Sequence, residues 1–275
     1  MKTLYVSDMD GTLLQPDQRL SAVAVTMLNR AIADGKLFTV ATARTPATVG
    51  PILRDLHMNL PCIVMTGAAM WDSATNHYSH LRLFKPEVIA RVLNVYRRTG
   101  TPTFVYSIAD DMITVRHIGE LTELQKEFVR ERSTTPYKRF EMDAEGRSVF
   151  PEVMDDVILL YVMLDNEQAR VCHEITEKIP GVRSQLYHDI YGDRTALLDA
   201  FAPDATKANA VRDLADEVGA DRIVCFGDNI NDLPMMREAD LAVAVENAHP
   251  DVLAAADIVI GPNTSDSVAK FILDH

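Results

Sequence analysis

Cysteine is scarce. The 275 residues hold three, Cys62, Cys172 and Cys225, far apart and with no C-x-x-C pair. A disulfide framework is thereby excluded, and the pattern predicts reduced core thiols in a cytoplasmic protein. Eight histidines occur without an H-E-x-x-H spacing, so a zinc site is not expected. No apolar run reaches bilayer length: the longest, Val157 to Leu164, is far short of a membrane helix. Between Lys2 and Asp8 stand only a few apolar residues, too few for the core of a secretory leader. Cationic side chains are also in deficit. Against 40 Asp and Glu there are 27 Lys and Arg, a net charge of −13. That balance argues against nucleic acid or an anionic membrane surface as the main partner, and serves solubility. Internal repeats and low-complexity stretches are absent.

What is present is short apolar runs alternating with segments of helical period. The runs are LYVS (4–7), LFTVAT (37–42), CIVMT (62–66), RIVCFG (222–227), LAVAV (241–245) and DIVI (257–260). They are continuous instead of alternating, as parallel strands covered on both faces require. Ser21 caps a predicted helix with Ala24, Met27, Leu28 and Ala31 on one face and Gly35 as its stop. Thr206 caps another, with Val211, Leu214, Ala215 and Val218 inward and Gly219 at its end. Strand and helix in alternation predict an α/β fold with a Rossmann-like parallel sheet. The middle of the chain differs. A helix through Ile89, Val92, Leu93 and Tyr96 precedes the hairpin strands TFVYS and MITVR. A helix through Leu121, Leu124 and Phe128 follows, then the strand VILLYVML, another helix, and the strands VRSQLYH and TALLDAF. This predicts an α+β domain, 84–203, inserted into a core made of 1–83 and 204–275.

In open parallel sheets, ligands bind beyond the carboxyl ends of the strands. Asp8 and Asp10 follow the first run, Thr42 and Arg44 the second, and Thr66-Gly67 the third. Asp228, Asn229, Asn231 and Asp232, in FGDNIND, follow the fourth, and Lys207 opens the helix before it. Each piece alone has an ordinary reading. D-x-D-G occurs in calcium loops, but here Val6 would occupy the first ligand position and the flank is strand-like. Asp-Asn-x-Asn-Asp suits a turn or a helix cap. Thr42 alone is a strand-end hydroxyl, and Lys207 alone a solvated lysine. Gathered at successive strand ends, they point to one site.

SDMDGTLL, VATAR, Lys207 and GDNINDLPMM resemble the four motifs of the haloacid dehalogenase-like hydrolase superfamily. The layout is similar to that of its Cof-type subfamily (IIB), with a large cap inserted between the second and third motifs. This sequence has Ala43 where the family often has Gly, Thr66 where it has Asn, and Ala208 where it has Gly. The resemblance implies a phosphatase acting on small phosphorylated metabolites such as sugar phosphates. It implies Asp8 as nucleophile, forming an aspartyl-phosphate, and Asp10 as the acid and base serving the leaving oxygen and the water. It implies phosphate contacts from Thr42, Lys207 and Asn231; Arg44, one residue beyond Ala43, reads either as a substrate contact or as one side of a surface salt bridge. Mg²⁺ is the implied cofactor, held by Asp8, Asp10 through its main-chain carbonyl, Asp228 and Asp232. In the cap, Tyr106, Arg116, Tyr137, Arg183 and His188 are possible substrate contacts.

Electrostatics agrees with a metal. A carboxylate ~4 Å from a phosphate dianion is repelled by about 8 kcal/mol at an effective dielectric of ~20, twice the unit-charge value. A cation and a lysine are needed to offset it. Other readings remain open from the sequence. A phosphomutase shares the aspartyl-phosphate and differs in returning it to a sugar. A non-enzymatic phospho-switch also gathers acids, Thr and Lys at strand ends, but would lack both Asp10 and the insertion; a catalytically silent binding protein on the same scaffold is opposed by the intact set Asp8, Asp10, Thr42, Lys207, Asp228 and Asp232.

Overall fold

The computed structural model describes residues 1–188 and 195–275, His188 by its backbone only. In chain order, β1 (Thr3–Ser7), α1 (Ala22–Ala33), β2 (Leu37–Val40), α2 (Pro46–Leu53), β3 (Cys62–Val64), β4 (Ala69–Asp72) and β5 (His77–Ser79) come first. Then follow α3 (Pro86–Thr99), β6 (Thr103–Ala109), β7 (Met112–Ile118), α4 (Glu123–Arg132), β8 (Lys138–Phe140), β9 (Val157–Asp165), α5 (Asn166–Thr176), β10 (Arg183–His188) and β11 (Thr195–Phe201). The chain closes with α6 (Lys207–Val218), β12 (Arg222–Gly227), α7 (Leu233–Arg237), β13 (Leu241–Val245), α8 (Pro250–Ala255), β14 (Ile258–Ile260) and α9 (Ser267–Asp274). Two compact units result, one of Met1–His80 with Ala205–His275, the other Leu81–Asp204.

The first unit is built on a parallel sheet of order β14-β13-β12-β1-β2. Leu4, Val6, Phe38, Val40, Val224, Phe226, Val243 and Val245 on one side of their strands and Tyr5, Thr39, Cys225 and Ala244 on the other are all buried, which is why these runs read as continuous; the edge strand β14 differs from that expectation, with Ile258 and Val259 exposed. β1 lies between β2 and β12, strands far apart in sequence. The chain therefore reverses direction of travel across the sheet there, the topological switch point beside which open α/β sheets bind their ligands. Ser21 accepts the Ala24 N–H and Thr206 the Asn209 N–H, so both predicted caps form.

The third run behaves differently from expectation. Its first three residues form β3, but β3 pairs antiparallel with β4, and β4 with β5. Only the single bridge Ala41 to Ile63 places it parallel beside the strand-two segment. Cys62, Ile63 and Val64 are fully buried, and burial alone does not report strand direction. Met65 and Thr66 leave the strand altogether. Both adopt left-handed backbone, φ +50° and +59°, and with Gly67 at φ +91° they turn the chain into β4.

The second unit has a six-stranded sheet of order β10-β11-β9-β6-β7-β8. Asp110 and Asp111, both left-handed, make the tight β6–β7 turn. Val88, Ile89, Val92, Leu93 and Tyr96 of α3 pack with Val105, Leu160, Val162 and Leu198 of the sheet. Helix α4 starts later than its apolar pattern suggests, because Thr122 and Gln125 form a capping box that leaves Leu121 outside. No helix among the described residues is long and apolar enough to cross a membrane.

An unforeseen feature of this unit is Lys138, in the short strand β8. It is 5% exposed, and its Nζ lies 5.0–5.6 Å from the ring centres of Phe128, Tyr106 and Phe140. Among the described residues its Nζ donates only to the Tyr106 hydroxyl, 3.5 Å away. Burial, with the Arg132 charge adding, pushes its pKa down to about 7. A lowered folded value means that stability is fully present above the ordinary lysine range and is lost as pH falls towards 7. Lys138→Met is therefore expected to stabilise the protein by about 1–3 kcal/mol at pH 7 and to flatten the stability profile between pH ~7 and ~10. Urea midpoints across that range check this, and a less stable Met variant at pH 7 contradicts it.

Candidate active site

β1 and β12 run side by side, with Ser7 opposite Phe226. The Asp8 N–H continues the ladder, donating to the Phe226 carbonyl at 3.0 Å. Asp8 and the Gly227-Asp228 segment thus leave adjacent strand ends at the same level. The segment after β1 then makes one turn, closed by the Leu14 N–H to the Met9 carbonyl at 2.9 Å. Gly11 is required in that turn. Its φ is +79°, and a Cβ there would stand 2.3 Å from Asp228 Oδ2. Thr12, one residue on, donates its hydroxyl to Asp228 Oδ1 at 2.7 Å. The loops after β1 and β12 are therefore locked together through Asp228.

Lys207 is the first residue of α6, and its side chain is 2% exposed. Its Nζ donates to Asp8 Oδ1 at 2.5 Å and to Asp232 Oδ1 at 2.7 Å. Asp232 is wholly buried, and its other oxygen accepts the main-chain N–H groups of Asp228 (3.2 Å) and Asn229 (3.1 Å). Gly67 fixes the start of α6, since a Cβ on it would lie 2.2 Å from the Thr206 carbonyl oxygen. The same left-handed turn is tied to the loop after β2. Thr66 N–H donates to the Thr42 carbonyl at 2.9 Å, and Met65 N–H to the Arg44 carbonyl at 3.0 Å. Among the described residues the buried Thr66 hydroxyl has no hydrogen-bond partner, and this β-branched residue sits in a left-handed conformation that it disfavours.

Asp8, Asp228 and Asp232 each offer one carboxylate oxygen within 4.8 Å of the others. Three acids around one ammonium leave excess negative charge. Burial raises the pKa of Asp8 well above the carboxylate range, the Asp232 charge adding to it and Lys207 opposing. Burial likewise pushes Asp228 up to about 6, against the Thr12 hydrogen bond. Burial works against the charge on Lys207, but Asp232 and Asp8 outweigh it and hold the ammonium. Hard oxygen donors short of positive charge fit a divalent metal cation.

Thr42 is buried at the end of the second run, and its Oγ1 accepts the Arg44 N–H at 3.1 Å. The carboxylate of Asp10 stands apart from the three-acid cluster and is half exposed. It meets the Arg44 guanidinium, which also reaches Gln18. Asn231 is partly buried and makes no side-chain hydrogen bond among the described residues. In the second unit, Tyr106 is buried beside Lys138, Arg116 is paired with Glu141, Tyr137 is partly buried and Arg183 is exposed. The side chain of His188 lies outside the described residues. The sequence alone does not single out Thr12 or Gln18. Thr12 sits inside the first motif, whereas nothing in the sequence around Gln18 marks it.

A model of the haloacid dehalogenase-like hydrolase family matches residues 5–272. The pyridoxal phosphate phosphatase YbhA of Escherichia coli is 24% identical over 98% of this chain and 96% of its own. The 5-amino-6-(5-phospho-D-ribitylamino)uracil phosphatase YcsE of Bacillus subtilis is 25% identical over 98% of this chain and 94% of its own. Among solved structures, a haloacid dehalogenase-like hydrolase from Bacteroides thetaiotaomicron superposes with a TM-score of 0.77 at 22% identity, covering 99% of this chain and 98% of that one.

Proposed function

The chain belongs to the haloacid dehalogenase-like hydrolases, and from that premise we propose that it hydrolyses small phosphomonoesters with Mg²⁺ through an acyl phosphate on Asp8. The observation that carries the reading is the buried carboxylate of Asp8, bonded to Lys207 and ringed by Asp228 and Asp232 at adjacent strand ends. Asp8 is the nucleophile: its free oxygen attacks phosphorus, and the bond from phosphorus to the ester oxygen breaks. Asp10 gives its proton to the departing oxygen, which leaves as an alcohol. Asp10, now a carboxylate, takes a proton from the water that attacks the phosphorus on Asp8. Inorganic phosphate departs, and the Asp8 carboxylate is restored. Lys207, Thr42 and Asn231 contact the phosphoryl oxygens, and Asp232 holds Lys207 in place. Asp8, Asp228, Asp232 and the main-chain carbonyl of Asp10 would hold Mg²⁺. When bound, the ion supplies positive charge against the phosphoryl oxygens and lowers the repulsion that the acids impose.

The inserted unit Leu81–Asp204 acts, in this proposal, as the cap that selects the substrate. Two relatives are named for phosphate esters of small heterocyclic compounds, and a soluble metabolite of that size is the substrate proposed here. The three cysteines are free and buried, which accords with work in the cytoplasm. The test is phosphate release from a panel of sugar, pyridoxal and ribityl phosphates, with Mg²⁺ and with a chelator, alongside thermal midpoints in both. Metal-dependent release together with a metal-dependent rise in midpoint is expected. Equal release in the chelator overturns the metal assignment, and no release from any ester overturns the hydrolase reading.

A further inference from the structure

Arg44 donates Nε to Asp10 Oδ2 at 2.7 Å and Nη2 to Asp10 Oδ1 at 2.6 Å. The same Nη2 donates to Gln18 Oε1 at 2.8 Å. At its base the residue is tethered twice: its N–H to Thr42 Oγ1 and its carbonyl to the Met65 N–H. Arg44 is thus fixed to the loop that carries Thr42 and reaches across to the loop that carries Asp10. Its side chain is 19% exposed, against 50% for that of Asp10, so the better-anchored partner orders the more exposed one.

A two-point fork sets the plane of a carboxylate as well as its position. Each Asp10 oxygen accepts one arm of the fork and keeps a second lone-pair direction open. An acid that serves a leaving oxygen has to stand within hydrogen-bond reach of it at the right angle. An aspartate on an exposed loop, without the fork, samples several rotamers and holds that angle only part of the time. A guanidinium already engaged by Asp10 and Gln18 is correspondingly less available to the ester.

We infer that Arg44 is a positioning residue, which orients the Asp10 carboxylate for proton transfer to the leaving oxygen instead of contacting the ester itself. The inference rests on the proposal that Asp10 is the acid of the first step. In that step the O–H bond of Asp10 and the phosphorus–oxygen ester bond break together. The bonding pair stays with the departing oxygen, which takes the proton.

This assignment has a readout that neither a structural role nor a direct substrate contact would give. A good leaving group departs without a proton, and a poor one needs it. The experiment compares kcat/KM, which reports the steps through alcohol departure, for p-nitrophenyl phosphate and for an alkyl phosphate such as glycerol phosphate. Wild type, Asp10→Asn, Arg44→Gln and Arg44→Lys are measured. Asp10→Asn and Arg44→Gln are both expected to lose about 10²–10³-fold on the alkyl ester and less than about 10-fold on the aryl ester. Arg44→Lys, a single-point cation, is expected to keep the charge and lose most of the alkyl-ester rate. If Arg44→Gln loses equally on both esters while Asp10→Asn does not, Arg44 does not act through Asp10 and the inference fails alone. If Asp10→Asn also loses equally on both, the role of Asp10 fails first and the inference falls with it. Should Arg44→Gln not fold, the same comparison of Arg44→Lys with Asp10→Asn decides between these outcomes.

Discussion

Asp8→Asn is expected to lower turnover by about 10⁴-fold or more while leaving the protein folded. The backbone bond from Asp8 to Phe226 does not depend on the side chain, and an amide oxygen can still accept from Lys207. What disappears is the nucleophilic oxygen. The substitution also removes a charge from a place where burial and the neighbouring acids disfavour it. A carboxylate whose folded pKa is raised gives stability that is present at low pH and lost as pH rises through the folded value. In a chelator at pH 7 the Asn variant is therefore expected to be at least as stable as wild type. Kinetics and a urea midpoint on one preparation check both halves. Wild-type turnover in the variant eliminates Asp8 as nucleophile, and a collapsed midpoint contradicts the charge argument.

Asp232→Ala is expected to be costly to the fold as well as to activity. Asp232 takes three hydrogen bonds, one from an ammonium, at a position without solvent. Its removal leaves Lys207 with fewer counter-charges in the interior and strips the main-chain N–H groups of Asp228 and Asn229 of their acceptor. Breaking a buried ion pair from one side costs about 3–5 kcal/mol. The Asn variant keeps one oxygen for these donors and is expected to lose clearly less. Turnover falls in both, because Lys207 and the Asp228 loop lose their common anchor. An Ala variant within about 1 kcal/mol of wild type, a change typical of surface sites, would show that Asp232 does not organise the cluster.

The contrast between Asp232 and Arg44 shows where the sequence is informative. Asp8, Lys207, Asp228 and Asp232 were legible because three of them follow buried strand runs and the fourth opens a capped helix. A parallel sheet delivers such positions to one edge whatever the loops do. The pairing of Arg44 with Asp10 and Gln18 depends on loop conformation, including a left-handed Gln18 at φ +62°, which residue type does not announce. The third run does lie parallel beside the second at one bridge, but its antiparallel partner β4 escapes the sequence for a similar reason. Cys62, Ile63 and Val64 are as buried as any core strand, and their direction of pairing is decided by the turn that follows. That turn holds a left-handed Thr66, a conformation a β-branched residue disfavours, so local propensity pointed away from it. Lys138 was hidden because a lysine in a short polar segment reads as solvated, and only the three rings around it reveal otherwise.

The central claim is that phosphate passes through Asp8. The most direct measurement is to quench the enzyme during turnover of its best ester, reduce with borohydride, which converts an aspartyl-phosphate to homoserine, and map the product by peptide mass spectrometry. Homoserine at position 8, dependent on substrate and absent from Asp8→Asn, is the result predicted. Rapid turnover with an unmodified Asp8, or with the modification at another aspartate, would contradict the account.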